Sequence, residues 1–325
     1  MKNLSVKIYQ ESDYKQWNAF VGQAKNATFL FHRDFMEYHK NRFEDYSLLI
    51  FESEKLVAIL PANKDKNSVF SHQGLTYGGL VYTEKTKLND VIVVFQALLL
   101  FLKENKIEKL YLKTLPSIYA KKPAEEILYA LFLTEAQLIR RDTLAVLALS
   151  QENEVAKIRK RGREKGIRNA LIIKEETVFE VFWNEILIPN LEARHQAKPV
   201  HSLEEILKLK ALFPTNIRQF NVYHKNKIVA GTTVFETDTV AHCQYISKYE
   251  KEENLGSLDF LYHFLIQDVF SNKRFFDFGI SNEEQSKKLN SGLSYWKESF
   301  GASTIVHDFY EVETEKYTLL DAVLI

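Results

Sequence analysis

Scarcity defines this sequence before anything else does. One cysteine, Cys243, stands in 325 residues, so an internal disulfide and any multi-cysteine metal site are excluded. Eleven glycines and six prolines are too few for long flexible linkers or collagen-like repeats. Neither sign of charge dominates: 43 basic residues face 43 acidic ones, leaving no overall field to draw in nucleic acid or an anionic membrane. A local basic patch is compatible with that balance. The opening "MKNLSVKIYQESDY" has no apolar signal core. The most apolar run, "VIVVFQALLLFL" (Val91 to Leu102), contains Gln96 and falls well short of the roughly 20 residues a bilayer span needs. It reads as a buried helix. A cytoplasmic protein with no transmembrane segment is expected. No P-loop and no dinucleotide-binding glycine pattern occurs.

What is present is core material, 46% hydrophobic with 23 Phe and 16 Tyr. A chain of this length exceeds the size at which one core usually stops growing, so two domains are expected, 1–150 and 151–325. Both halves run helix, antiparallel strands, apolar helix, strand, helix, strand. "LLIFESEKLVAILPA" in the first is echoed by "FNVYHKNKIVAGTTVF" in the second, each a strand, a short polar turn and a strand. Lys55-Leu56-Val57-Ala58 lines up with Lys227-Ile228-Val229-Ala230. The echo points to a duplicated α/β unit with a mixed sheet.

Polar residues concentrate in the second half. "KIRKRGREKGIRN" (Lys157 to Asn169) carries seven basic side chains against Glu164. Such a helix suits a polyanion such as RNA phosphate or a nucleotide pyrophosphate; it also suits a solvated connector. In "LEARHQAKPVHS", Arg194 and His195 suit the mouth of a pocket holding an anionic or sugar-like substrate, and Ser202 with Glu205 forms a capping box. His195 and His201 have no further ligands nearby in sequence, so no metal is expected. Strand alternation in "AHCQYIS" sends His242, Gln244 and Ile246 to one face and Cys243 and Tyr245 to the other. Asp277 in "FFDFG" stands among apolar neighbours, where a carboxylate needs a partner or a cavity. In "VHDFYEV", Asp308 and Tyr310 share one face, and His307 and Phe309 the other. Each such group alone can be an inert core residue; neighbouring strands that all present them suggest a site. Cys243 reads as a small buried residue rather than a nucleophile. In "SNEEQSKKLNSGLSYWKESFG", a loop holding Ser281 and Asn290 enters a helix with Lys297 at the border of its apolar stripe. A lysine there either snorkels to solvent or bends over a cleft.

The two-fold echo, the segment "IRKRGREKGIRNAL", and "FDFG" followed by "LNSGLSYWKESFG" together resemble the Fem-like (FemAB) branch of the GNAT acyltransferase superfamily, over nearly the whole chain. The family's "GL..FK..FG" segment is met by Gly292, Leu293, Trp296, Lys297, Phe300 and Gly301, with Trp296 where Phe is common. The resemblance implies two tandem GNAT-like domains with mixed, largely antiparallel sheets flanked by helices. It implies acyl or aminoacyl transfer to a cell-envelope precursor, small or lipid-linked, such as an amino sugar or peptidoglycan intermediate. The donor would be acyl-coenzyme A or aminoacyl-tRNA, the latter met by the basic helix 157–168, and no cofactor would be tightly bound. Lys297, Asp277 and His242 are then the expected catalytic residues. Arg194, His195, Gln244, Ser281 and Asn290 are expected to bind substrate. Gly256 and Ser257, at a helix start suited to anions, would hold the donor's pyrophosphate, although "EKEENLGSLDFL" departs from the family's phosphate loop in being acidic. A catalytically silent tandem-GNAT protein that binds an envelope precursor, nucleic acid or a partner is the alternative.

Overall fold

Two hairpins carry the internal echo down to single residues. Leu48–Glu52 pairs antiparallel with Lys55–Leu60, and Ile217–His224 pairs in the same way with Lys227–Glu236. Each loop is two residues long, with positive φ at Ser53 in one and at Lys225 and Asn226 in the other, as tight hairpin turns require. Both hairpins then slip register at the same place. The shift falls between Ile50 and Phe51 and between Val222 and Tyr223, leaving Val57 and Val229 as the bulged residues. A shared bulge is harder to reach by chance than a shared order of elements.

The computed structural model describes residues 3–249 and 255–325, apart from the side chains of Arg194 and His195. The chain forms two compact units, Met1–Asp142 with Val306–Ile325, and Thr143–Ile305. In the first unit, Leu4–Ile8, Leu48–Glu52, Lys55–Leu60 and Val81–Tyr82 form an antiparallel sheet. Lys109–Lys113 pairs parallel with Ser68–Phe70 and antiparallel with residues 309–313. The helix Leu88–Glu104 buries Val91, Phe95, Leu98 and Leu102, one stripe at helical spacing. The apolar run is thus a core helix. A single cut at residue 150 differs from this division. The last twenty residues return to the first unit because Phe309 to Glu313 pair with Lys113 to Lys109, and Val312 and Leu320 enter its core.

In the second unit the strand order is Ile172–Glu176, Ile217–His224, Lys227–Glu236, Val240–Lys248, Phe275–Ile280, then residues 144–148. Every pairing is antiparallel except that of Val240–Lys248 with Phe275–Ile280. Tyr262, Phe276, Phe278, Trp296 and Phe300 pack as an aromatic cluster against that sheet. The fold is therefore mixed α/β, with largely antiparallel sheets flanked by helices. The helical stretches Glu180–His195 and Ser257–Val269 each pass through a π turn, at Trp183–Leu187 and Leu265–Val269. Among the described residues, no helix is long and apolar enough to cross a membrane.

Candidate active site

The parallel strands of the second unit pair for only three residues, from Val240 with Phe275 to His242 with Asp277. Beyond that point their pairing ends. Phe275–Ile280 is bent there: Asp277 opposes Val146 but Ile280 opposes Leu144, and Gly279 takes a φ of +75°. That left-handed backbone strongly favours glycine. It directs the Gly279 N–H to Asp277 Oδ1 at 2.7 Å. The last pair before the fork is His242 and Asp277.

Asp277 is fully buried, and its Oδ2 lies 2.9 Å from His242 Nδ1. A carboxylate oxygen accepts, so in this pair Nδ1 is the donor and Nε2 is left as the other ring nitrogen. This is the partner that the burial of a carboxylate demanded. The alternation expected here is broken by a bulge at Gln244. Cys243 opposes Val234 and Tyr245 opposes Thr233, so the two fall on opposite faces, Cys243 in the aromatic core and Tyr245 against Trp183 and His201. Burial pushes the Cys243 thiol up to about 12, leaving it a neutral, unreactive group.

Lys297 is not a border residue. It is 2% exposed, and its ammonium donates to the carbonyls of Gly279 at 2.9 Å and Ile280 at 2.6 Å. The glycine bend that serves Asp277 thus also turns two carbonyls toward Lys297. Burial lowers the Lys297 pKa to about 8, while the negative charge of Asp277 acts in the opposite direction. Three N–H bonds leave an ammonium one donor beyond the two carbonyls. An imidazole and a buried ammonium are therefore both within reach of the Asp277 charge.

Ser281 and Asn290 lie beside them. The Asn290 N–H donates to the Ser281 carbonyl at 2.9 Å, and Asn290 Oδ1 caps the helix Ser291–Glu298 at the Leu293 N–H. Ser281 is buried, and its hydroxyl has no hydrogen-bond partner among the described residues. Gly256 and Ser257 are occupied by packing. The helix Lys157–Arg168 crosses Ser257–Phe264 so closely that a Cβ on Gly256 would collide with the Gly162 carbonyl, and one on Gly166 with Phe260. Arg159 joins the crossing by donating to Asp259 at 2.6 Å. Lys157, Lys160, Arg161, Arg163 and Arg168 remain exposed. The side chains of Arg194 and His195 lie outside the described residues, as do Glu250, Glu252 and Glu253. His201 is held against Tyr245 Oη at 2.6 Å.

Asp308 falls in the first unit, where Arg141 grips it through two bonds of 2.6 and 2.8 Å and Tyr310 donates to it at 3.3 Å. Sequence reasoning also missed a polar cluster in that unit. Lys113 donates to the carbonyls of His72 and Leu75, and burial lowers its pKa to about 8. It lines a cavity of about 50 Å³ with Phe70, His72, Tyr111 and Phe309. The signal was present in "KLYLK", where Leu110 and Leu112 face the core and Lys113 must face the other way. Among the described residues, no three His, Cys, Asp or Glu are grouped to hold a metal ion.

No family model matches the chain, and no curated protein matches it in sequence. Solved structures do match in shape. FemX aligns over 98% of this chain and 99% of its own, with a TM-score of 0.67 and 8% identity. The chain has the Fem-like tandem-GNAT fold. L-PGS from Bacillus licheniformis aligns over 97% and 96% of the two chains, with a TM-score of 0.57 and 10% identity. A tandem GNAT protein from the clavulanic acid biosynthesis pathway aligns over 96% and 99%, with a TM-score of 0.50 and 11% identity. At such identities the Fem-like likeness speaks to fold alone.

Proposed function

We propose that this protein is an acyltransferase that moves an acyl or aminoacyl group from a thioester or ester donor to the amine of a cell-envelope precursor. The observation that supports it most is the meeting of His242, Asp277 and Lys297 at the fork of two parallel strands. In this reading the acceptor amine attacks the donor's carbonyl carbon, and His242 Nε2 takes a proton from the amine nitrogen. Asp277 holds the imidazole in the required tautomer and stabilises it once charged. The third N–H of Lys297 meets the oxyanion of the tetrahedral intermediate. Collapse forms the amide and breaks the carbon–sulfur or carbon–oxygen bond, and the leaving group departs with the proton. In this reading Gln244, Ser281 and Asn290 contact substrate, as do Arg194 and His195.

The donor is acyl-coenzyme A or aminoacyl-tRNA; the exposed basic face of Lys157–Arg168 fits the second. The acceptor is a small or lipid-linked amino sugar or peptidoglycan intermediate, met in the cytoplasm. The experiment offers acetyl-coenzyme A and charged tRNA with amino-sugar nucleotide acceptors to the wild type and to His242→Gln. Turnover by the wild type that falls about a hundredfold or more in the variant supports the reading. Turnover unaffected by the variant removes His242 from the mechanism. Binding of an acceptor without turnover of any donor points to a silent binding protein.

A further inference from the structure

Three large apolar side chains stand in solvent beside the buried polar group. Ile280 is 37% exposed, Leu289 55% and Leu293 39%. A single exposed leucine needs no explanation, but a contiguous set next to reactive groups does. Their contiguity follows from the backbone. Asn282 pairs with Leu289 in the short hairpin formed by Asn282–Glu283 and Lys288–Leu289, so the two share a face. Ile280 precedes Asn282 by two residues, with the buried Ser281 between them. Asn290, bonded to the Ser281 carbonyl, follows Leu289 directly and caps the helix at Leu293 in its first turn. The hairpin and the helix start therefore present one apolar lip. Its inner end is Ile280, whose carbonyl receives the Lys297 ammonium at 2.6 Å.

We infer that this lip binds an aliphatic chain on the acyl group being transferred, so that the donor is a medium-chain acyl ester or thioester. The inference rests on the acyl-transfer reading and adds the substrate class. The donor is the partner argued for, because its chain is attached to the carbonyl carbon whose oxygen meets Lys297. The first atoms of that chain fall next to Ile280, and the next ones run out toward Leu289 and Leu293. An acceptor would approach from the His242 side. Polar groups at one end and aliphatic ones at the other match a molecule with a reacting carbonyl and an apolar tail.

Binding to the intact chain tests this without requiring turnover. Two series of thioesters are titrated by calorimetry, acyl-coenzyme A and S-acyl-N-acetylcysteamine, each from acetyl to octanoyl. Full burial of a methylene is worth about fourfold in affinity; a half-open lip should give roughly twofold, or about sixtyfold across the six added methylenes. Leu289→Ser with Leu293→Ser should flatten this dependence, whereas Leu289→Met with Leu293→Met should keep it. Tyr295→Ser, at a residue 60% exposed elsewhere on the helix, should also keep it. Affinity that ignores chain length in both series overturns the inference, as does a chain-length dependence that survives the double serine variant. Absence of binding in both series overturns it too. Acyl transfer itself stands or falls separately, on the His242→Gln comparison with acetyl-coenzyme A and charged tRNA.

Discussion

At the scale of single residues, Lys297 balances two opposing effects. An ammonium taken out of water resists its own charge, and its pKa falls to about 8. The same ammonium satisfies two buried carbonyls that would otherwise lose their donors. Lys297→Met removes both effects, each on the order of 3 kcal/mol, so stability at pH 7 should change little. The difference emerges at higher pH. Between about pH 8 and 10.5 the unfolded chain keeps the proton that the folded chain has lost, so wild-type stability rises with pH relative to Lys297→Met. Urea unfolding at pH 7 and pH 10 should separate the two proteins by up to about 3 kcal/mol more at the higher value. Transfer activity should fall above about pH 8 as the ammonium deprotonates, and by about a hundredfold in the variant at pH 7. A parallel pH dependence of stability in both proteins would show that Lys297 is not buried as a charge.

At the scale of elements, close backbone approach decides which glycines matter. Gly256 combines a φ of +75° with the Gly162 carbonyl in the place of its missing Cβ. Gly256→Ala should therefore cost about 1–3 kcal/mol, through strain and through separation of the helices Lys157–Arg168 and Ser257–Phe264. Gly22, near the end of the helix Tyr14–Gln23, has open space at its Cβ position, with no atom of the described residues within 4 Å apart from its chain neighbours and its own helix backbone. Gly22→Ala should stabilise the protein by about 0.5–1 kcal/mol on helix propensity alone. Thermal unfolding of the two variants checks both signs in one experiment. Elements of this local kind were also the most legible in the sequence. The hairpin echo and the capping box of Ser202 with Glu205 at 3.1 and 2.7 Å both follow from neighbours within a few residues, whereas the alternation after His242 is interrupted by a bulge at Gln244. From the local pattern the inward turn of Lys297 was not legible, because a lysine at the edge of a helical stripe can go either way until the Gly279 bend supplies its acceptors; the family resemblance alone pointed it into the cleft. Nor was the hairpin at Asn282, whose positive φ values fall on Glu284, Gln285 and Ser286 rather than on glycine.

At the scale of the whole molecule, the path of the chain matters more than its local pattern. Pairing of Lys109–Lys113 with residues 309–313 joins segments about two hundred residues apart, and no short-range periodicity encodes it. A division at residue 150 therefore assigns the final strand to the wrong core material. The closing segment brings Val312 and Leu320 into the first unit at 1% and 4% exposure, and Thr314 donates to the Ile107 carbonyl at 2.6 Å. Burial of two such side chains is worth about 3–6 kcal/mol, a large share of the 5–15 kcal/mol by which a domain is usually stable. A chain ended at Ile305 also leaves Lys109–Lys113 without its antiparallel neighbour. Hydrogen exchange on that shortened chain should show amides of Leu88–Glu104 and Lys109–Lys113 losing most of their protection. Amides of Lys227–Glu236 and Val240–Lys248, which take their partners from Thr143–Ile305, should keep theirs. Unchanged protection at Lys109–Lys113 would mean that the first unit completes its core without the returning strand. Loss of protection throughout would instead make the last twenty residues a condition for folding the entire chain.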